Sequence, residues 1–192
     1  MSVATVTPSP PLPGKEAGGR VLQTPPPRTG RVVAVCVSAG GIPKLPAEQV
    51  LIQQDGLEGD RHAHAKHCRP DRAVSLLDVE VMQELVAEGF PLVPGATGEN
   101  LSIQGLHVQS LAPGMVLRVG EAMLRLTAPR KPCYVLDAIH PCLKDAIVGR
   151  CGYLAEVLVP GVVRTGDEVS VVPVAEGGEG DRSGSEESRP GA

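Results

Sequence analysis

Cys133 lies in the stretch APRKPCYVL, directly after Pro132 and close behind the cations Arg130 and Lys131. The thiolate is the reactive form of a cysteine, and nearby positive charge lowers the thiol pKa from about 8.5. The two cations can provide that charge, or they can bind an anionic group of a ligand. From these residues alone two interpretations stay open: a sulfur nucleophile tuned by its neighbours, and a structural cysteine in a proline-rich loop.

Two other polar stretches have the composition of ligand-binding loops. In GLEGDRHAHAKHC, residues 56–68, glycines that allow positive φ precede Arg61 and His62, so this loop can line a polar pocket. In TGENLSIQGL, residues 97–106, Glu99 and Asn100 precede an apolar run. These two side chains either face a ligand at the edge of a strand or belong to an ordinary turn.

The first of these loops also contains residue types that bind metals, namely His62, His64, His67 and Cys68. Their spacing, HxHxxHC, matches no zinc-binding pattern, so we favour a polar loop with exposed histidines over a metal site. The alternative, a zinc-binding barrel, predicts stoichiometric zinc that is lost in His62→Ala.

The cysteines of the chain are five, an odd number, and no two of them form a CxxC pair. This argues against a disulfide framework and predicts a reducing, cytoplasmic location. Cys142 and Cys151 follow Cys133 at nine-residue intervals. They are candidates for resolving thiols, although equal spacing alone is weak support.

The composition excludes several classes of function. The chain has 192 residues and a net charge of -4, aromatic residues make up 2%, and tryptophan is absent. An acidic chain without aromatic stacking platforms is not expected to bind nucleic acid. No apolar run approaches the roughly 18 residues that span a bilayer, and the N-terminus lacks the pattern of a secretory signal. We therefore predict no nucleic-acid partner and no membrane attachment.

Composition also divides the chain into three parts. Residues 1–29 contain two proline clusters, and residues 175–192 are acidic and rich in glycine and serine. Both are predicted to be disordered tails, because proline removes backbone donors and the second segment has almost no apolar side chains. The folded domain is then predicted over residues 30–174.

Short, β-branched apolar runs dominate this domain. Strands are predicted over residues 31–37, 49–53, 73–77, 100–103, 153–159 and 167–173, with a hairpin over 116–126. Helices are predicted over residues 78–88 and 140–148. Many short strands with few helices indicate a mainly β fold, a closed or partly closed β-barrel.

Taken in order, these motifs resemble the MOSC domain, the C-terminal domain type of molybdenum cofactor sulfurases. The matching stretches are GLxGDRH at 56–62, Arg72 before its strand, GENL at 98–101, PRxPC at 129–133, GRxG at 149–152 and GD at 166–167. The resemblance spans about residues 31–173 and is to the small bacterial type similar to 6-hydroxyaminopurine reductases. It implies a β-rich barrel, in agreement with the strand pattern.

The resemblance further implies the molybdenum cofactor, molybdopterin, as the small-molecule ligand and Cys133 as the catalytic residue. Cys133 would carry sulfur as a persulfide, or would ligate molybdenum in the reduction of N-hydroxylated substrates. The implied cofactor-binding residues are Arg61, His62, Arg72, Glu99, Asn100, Arg130 and Lys131. A sulfur-donor or electron-donor protein is the implied partner.

Two expectations narrow these activities. The chain has no room for a pyridoxal-phosphate desulfurase domain, so we expect neither pyridoxal-phosphate binding nor sulfur transfer directly from free cysteine. We also expect no additional N-terminal β-barrel before the domain, which argues against the membrane-linked amidoxime-reducing relatives. A non-catalytic module that binds or delivers the pterin cofactor stays open as the alternative.

Overall fold

The computed structural model describes residues 28–61 and 69–173. Their strands are β1 (Thr29–Val37), β2 (Leu45–Ala47), β3 (Gln49–Gln53), β4 (Gly56–Leu57), β5 (Val74–Asp78), β6 (Leu101–Gln104), β7 (Val116–Val119), β8 (Ala122–Pro129), β9 (Tyr153–Val159), β10 (Gly161–Arg164) and β11 (Glu168–Val172). The helices are α1 (Val79–Ala87) and α2 (Leu143–Ala146), with short 3-10 helices at Pro70–Arg72, Val108–Ser110 and Tyr134–Ala138.

Seven of these strands close into a barrel. Their order is β1, β6, β5, β9, β8, β7 and β11, and β11 pairs with β1 to complete the ring. β5 and β6 run parallel, whereas the other neighbours in the ring are antiparallel. β2 extends the sheet from β1, and β10, β3 and β4 form a separate three-stranded sheet. The predicted mainly β fold, a closed or partly closed β-barrel, is confirmed, and the ring of strands is closed.

The alternation of apolar and polar residues explains which side chains fill the barrel. In β8, Leu124 and Leu126 are buried, and Arg125 between them faces outward and pairs with Glu156 of β9 at 3.0 Å. Each leucine buried in this way stabilises the fold by about 1.5–3 kcal/mol. The predicted hairpin is also confirmed, because β7 and β8 pair across Val119 and Ala122.

A second, smaller core lies beneath the helices. α1 lies within the range predicted for it, and its Leu85 packs in one cluster with Leu136 and Leu143 from the segment after β8. The helix predicted over residues 140–148 is only the short α2. Pro141 disfavours a helical residue before it, and Gly149 adopts a left-handed conformation beyond its end. This cluster anchors the chain that follows Cys133.

The first and last strands of the barrel lie close to the ends of the described chain. β1 begins at Thr29, a residue that the prediction assigned to the N-terminal tail. Residues 1–27 and the predicted C-terminal tail, 175–192, lie outside the described residues. Within the parts of the chain that are described, no helix has the length and apolar character needed to cross a bilayer.

Candidate functional site

A buried carboxylate, Asp60, joins three segments where β1 ends and β6 begins. Its side chain is only 2% exposed. Oδ1 accepts a hydrogen bond from the backbone N–H of Ser38 at 2.8 Å, and Oδ2 accepts one from Nδ2 of Asn100 at 2.9 Å. Oδ2 also forms an ion pair with Nζ of Lys44. Both oxygens of Asp60 are therefore used inside the protein, and the loop that carries Arg61 is fixed to the barrel.

Lys44 is the cation paired with Asp60, and no sequence pattern predicts it. It is buried in the turn between β1 and β2, where GGIPKLP offers no motif that marks it. Burial lowers the pKa of the Lys44 amino group, and the hydrogen bond and charge of Asp60 oppose that shift. The charge of Arg130 lowers this pKa further, so Lys44 and Arg130 lie within electrostatic reach of each other.

Asn100 is also buried, and its amide is fully engaged. Oδ1 accepts hydrogen bonds from the backbone N–H and the hydroxyl of Ser75, at 3.1 and 2.9 Å. Nδ2 donates to the carbonyl of Cys36 at 3.3 Å as well as to Asp60. Asn100 thus links β1, β5 and the loop that carries Asp60.

Glu99 is fully buried and accepts three hydrogen bonds. Oε1 accepts from the backbone N–H of Gly95 at 2.6 Å and from the hydroxyl of Ser102 at 3.2 Å. Oε2 accepts from the hydroxyl of Thr97 at 2.7 Å. Thr97 in turn accepts two hydrogen bonds from Arg130: Nη2 donates to its carbonyl at 2.6 Å and Nη1 to its hydroxyl at 3.4 Å.

The stretch with the reactive-cysteine motif leaves the barrel at the end of β8. The backbone N–H of Arg130 donates to the carbonyl of Gly152 at 2.8 Å, so the first cation of the stretch is tied to the segment before β9. Lys131 and Cys133 are exposed. Cys133 directly precedes the 3-10 helix Tyr134–Ala138, and its carbonyl accepts from the backbone N–H of Leu136 at 3.1 Å. Its thiol is open to solvent.

The remaining residues that the resemblance implies for cofactor binding are two exposed arginines and His62. Arg61 is exposed, and its backbone N–H donates to the carbonyl of Ser38 at 2.8 Å. Arg72 is exposed and lies 3.8 Å from a carboxylate oxygen of Asp71. His62 and the other candidate ligands of the histidine loop, His64, His67 and Cys68, lie outside the described residues. In ranges 28–61 and 69–173, no three metal-binding side chains form a cluster.

The four cysteines that are described fall into two classes. Cys36 and Cys151 are buried, whereas Cys133 and Cys142 are exposed. Burial, with the charges of Glu99 and Asp60, raises the pKa of the Cys36 thiol to about 12 against the opposing charge of Lys44. Burial also raises the pKa of Cys151, although the charge of Arg130 opposes it. Of the two candidate resolving thiols, only Cys142 is therefore accessible.

We expect alkylation of the native protein with iodoacetamide at about pH 8 to modify Cys133 and Cys142 and to spare Cys36 and Cys151. Buried thiols are shielded from the reagent, and a raised pKa removes the reactive thiolate. Fragmentation mass spectrometry locates each adduct, and the same reaction in guanidinium chloride, which should label all five cysteines of the chain, is the control. Labelling of Cys36 as fast as Cys133 in the native protein would contradict this assignment.

The closed seven-stranded barrel agrees with the similarity of this chain to known proteins. The model of the MOSC domain matches residues 63–170, more than half of the chain. The chain therefore belongs to the MOSC domain family. MOSC domains are associated with the molybdenum cofactor.

Three relatives illustrate the similarity. The chain is 34% identical over 125 residues to protein YiiM of Escherichia coli (strain K12), covering 60% of this chain and 55% of that one. It is 32% identical over 147 residues to the uncharacterized protein YflK of Bacillus subtilis (strain 168), covering 72% and 66%. The chain thus spans less than two thirds of the length of either relative. The crystal structure of YiiM from Geobacillus stearothermophilus superposes with a TM-score of 0.64 at 26% identity, covering 77% of each chain.

Proposed function

We propose that this protein binds the molybdenum cofactor and uses Cys133 as its reactive sulfur. The observation that carries the proposal is the exposed thiol of Cys133 on the segment whose first cation, Arg130, is anchored to Thr97 and Gly152. Cys133 offers a soft sulfur donor, and Arg130, three residues before it, offers a guanidinium that is fixed in place. A cytoplasmic location belongs to the same proposal, because exposed free thiols persist in a reducing compartment.

The donor set of the described residues fits this cofactor. A thiolate is a suitable soft ligand for a transition metal, and guanidinium groups bind phosphate in a bidentate manner. Arg130 would hold the anionic part of the cofactor, and the exposed Lys131, Arg61 and Arg72 would supply further positive charge. When bound, the cofactor supplies a redox-active metal. The predicted contact through His62 stays a prediction.

The buried polar residues take a supporting part in this proposal. Asp60, Lys44 and Asn100 hold the loops around the site through hydrogen bonds within the protein. Thr97 accepts hydrogen bonds from Arg130, and Glu99 in turn accepts one from the Thr97 hydroxyl. Such a preorganised arrangement favours binding, because the polar groups need not be ordered when the ligand arrives.

One branch of the proposal is sulfur carriage. The Cys133 thiolate attacks the outer sulfur of a persulfide on a donor protein, the S–S bond of the donor breaks, and the donor leaves as a thiolate. Cys133 then holds the sulfur as its own persulfide, and no external oxidant or reductant is needed. The exposure of Cys133 suits contact with such a donor.

The other branch is reduction of N-hydroxylated bases, with Cys133 as a ligand of molybdenum. The overall reaction takes two electrons and two protons and converts the N-hydroxyl substrate into the amine and water. An electron-donor protein must deliver the electrons. In this branch Cys133 would hold the metal, and Arg130 would orient the anionic part of the cofactor.

The Cys133→Ser variant tests both branches, with Cys142→Ser as the matched control because it alters a second exposed thiol. We expect Cys133→Ser to abolish sulfur transfer or substrate reduction, and Cys142→Ser to retain most of it. After incubation with a persulfide donor, mass spectrometry should find an adduct of about 32 Da on Cys133 if the protein is a sulfur carrier.

Two results separate the alternatives. The absence of this adduct, together with Cys133-dependent reduction of an N-hydroxylated base, assigns the reductase branch. If Cys133→Ser retains both cofactor affinity and full activity in the cell, the reactive role of Cys133 is wrong. The protein would then be a non-catalytic module that binds or delivers the cofactor.

A further inference from the structure

Among the described residues, only Thr97 accepts hydrogen bonds from the Arg130 guanidinium. Its guanidinium makes two hydrogen bonds, from Nη2 to the carbonyl and from Nη1 to the hydroxyl of Thr97. A guanidinium has five N–H donors, so the contacts within the described residues leave three for a ligand. The direction in which these donors point depends on how Thr97 is held.

The hydroxyl of Thr97 has one proton, and Glu99 determines where that proton goes. The carboxylate of Glu99 is only an acceptor, and its Oε2 lies 2.7 Å from the Thr97 hydroxyl oxygen. The hydroxyl must therefore donate to Glu99, which leaves a lone pair for Nη1 of Arg130. Glu99 and Thr97 are 0% and 1% exposed, so water does not provide an alternative partner.

The turn around Gly98, next to the Arg130 guanidinium, also has little space in which to move. Gly98 has a φ of +86°, and a Cβ at this position would lie 2.8 Å from Cγ2 of Ile42 and 3.8 Å from Nη2 of Arg130. Glu99 is fixed from its other side by Gly95 and Ser102. The turn that presents Thr97 to Arg130 is therefore closely packed as well as hydrogen-bonded.

From these contacts we infer that Glu99 is a positioning residue: through the hydroxyl of Thr97 it orients Arg130 for bidentate binding of an oxyanion. This inference rests on the proposed function, since it concerns how Arg130 meets the anionic part of the cofactor. The ligand chemistry that matches a fixed planar guanidinium is a phosphate monoester or a similar oxyanion. On this inference Glu99 acts through Thr97 and does not itself touch the ligand, whereas the sequence resemblance implies a direct contact.

Glu99→Gln is the most informative substitution, because it keeps the shape and removes the acceptor-only character. The amide N–H of glutamine would face either Thr97 or Gly95. In the first case the Thr97 hydroxyl must turn its proton toward Arg130, and in the second the amide N–H opposes the backbone N–H of Gly95. Thr97→Val removes the hydroxyl at constant shape, whereas Thr97→Ser retains it and is the matched control.

The first measurement needs no cofactor. Side-chain ¹⁵N–¹H spectra, with the Arg130 signals assigned by Arg130→Lys, report hydrogen exchange and rotation of its guanidinium. We expect slow exchange in the wild type and in Thr97→Ser, and faster exchange in Glu99→Gln and Thr97→Val. Unchanged Arg130 spectra in these two variants would overturn the inference, whether or not the protein binds cofactor.

The second measurement is the dissociation constant of the molybdenum cofactor, with a double-mutant cycle. We expect Glu99→Gln and Thr97→Val to weaken binding by about tenfold or more, and Thr97→Ser by much less. In an Arg130→Ala background, Glu99→Gln should have no further effect on binding. An equal loss in both backgrounds would overturn the positioning role, whereas a wild type that binds no cofactor would overturn the proposed function and leave the spectra to decide on Glu99.

Discussion

Lys44→Met is expected to lower the free energy of unfolding by about 3–5 kcal/mol, because it leaves the Asp60 carboxylate buried without its cation. Asp60 is 2% exposed, and the Lys44 side chain is 9% exposed. Solvent therefore cannot replace the lost partner. Chemical denaturation with urea at neutral pH measures the change.

Two further variants test whether the loss of stability comes from the buried, unpaired charge of Asp60. Lys144→Met removes a lysine whose side chain is 43% exposed and whose partner, Asp137, lies 3.9 Å away, and it should change stability by less than about 1 kcal/mol. Adding Asp60→Asn to Lys44→Met removes the unpaired charge and should restore part of the loss. If Lys44→Met is as harmless as Lys144→Met, the buried ion pair does not hold the site together.

Gly152→Ala is expected to destabilise the domain by more than about 4 kcal/mol, the range that requires a steric or strain mechanism. Gly152 has a φ of +85°, and a Cβ there would lie 1.9 Å from the carbonyl oxygen of Leu76 in β5. Backbone must move to relieve this contact. The carbonyl of Gly152 also accepts from the N–H of Arg130, so the site would be displaced as well.

Gly149→Ala is the matched control. Gly149 has a similar φ, +78°, but apart from its own and its chain neighbours' atoms no atom of the described residues lies within 4 Å of the place that a Cβ would take. Only the left-handed strain of a residue with a Cβ remains, about 1–2 kcal/mol. Thermal or urea denaturation compares the two variants. Equal losses in Gly149→Ala and Gly152→Ala would mean that the close approach to Leu76 is unimportant.

The barrel and most of its strands could be predicted, but not which two strands pair to close it. The alternation of leucines with charged residues in β8 is a local pattern, and it indicates a half-buried strand directly. The pairing of β1 with β11 joins segments more than a hundred residues apart, and no local pattern selects it. The strands β2 and β4 are not predicted, since two or three residues do not establish a period, and the four-residue strand β10 is not predicted either.

The motifs predict which segments form the candidate site, but they do not predict the contacts of each side chain. The segments around Glu99, Asn100 and Arg130 do come together in the fold. Composition does not tell which side of a turn a side chain faces, and both Glu99 and Asn100 turn inward to hydrogen-bond within the protein. Lys44 carries no motif at all, because its role depends on Asp60 being brought against it by the fold.

The same limit applies to the cysteines. Cys142 and Cys151 follow Cys133 at equal intervals, yet Cys142 is exposed and Cys151 is buried beside the helices. Cys151 and Gly152 directly precede β9, and packing within the second core covers the Cys151 thiol. Accessibility is a property of the tertiary structure, so the interval between two cysteines cannot supply it.

The central claim, that this MOSC protein binds the molybdenum cofactor, is tested most directly by the content of the purified protein. The wild-type chain is produced in a host that makes the cofactor and is purified gently. Molybdenum is then measured by elemental mass spectrometry, and pterin by the fluorescence of its oxidised form. We predict that molybdenum and pterin will both be present in stoichiometric amounts. A protein that contains neither, from a host well supplied with molybdate, would contradict the account.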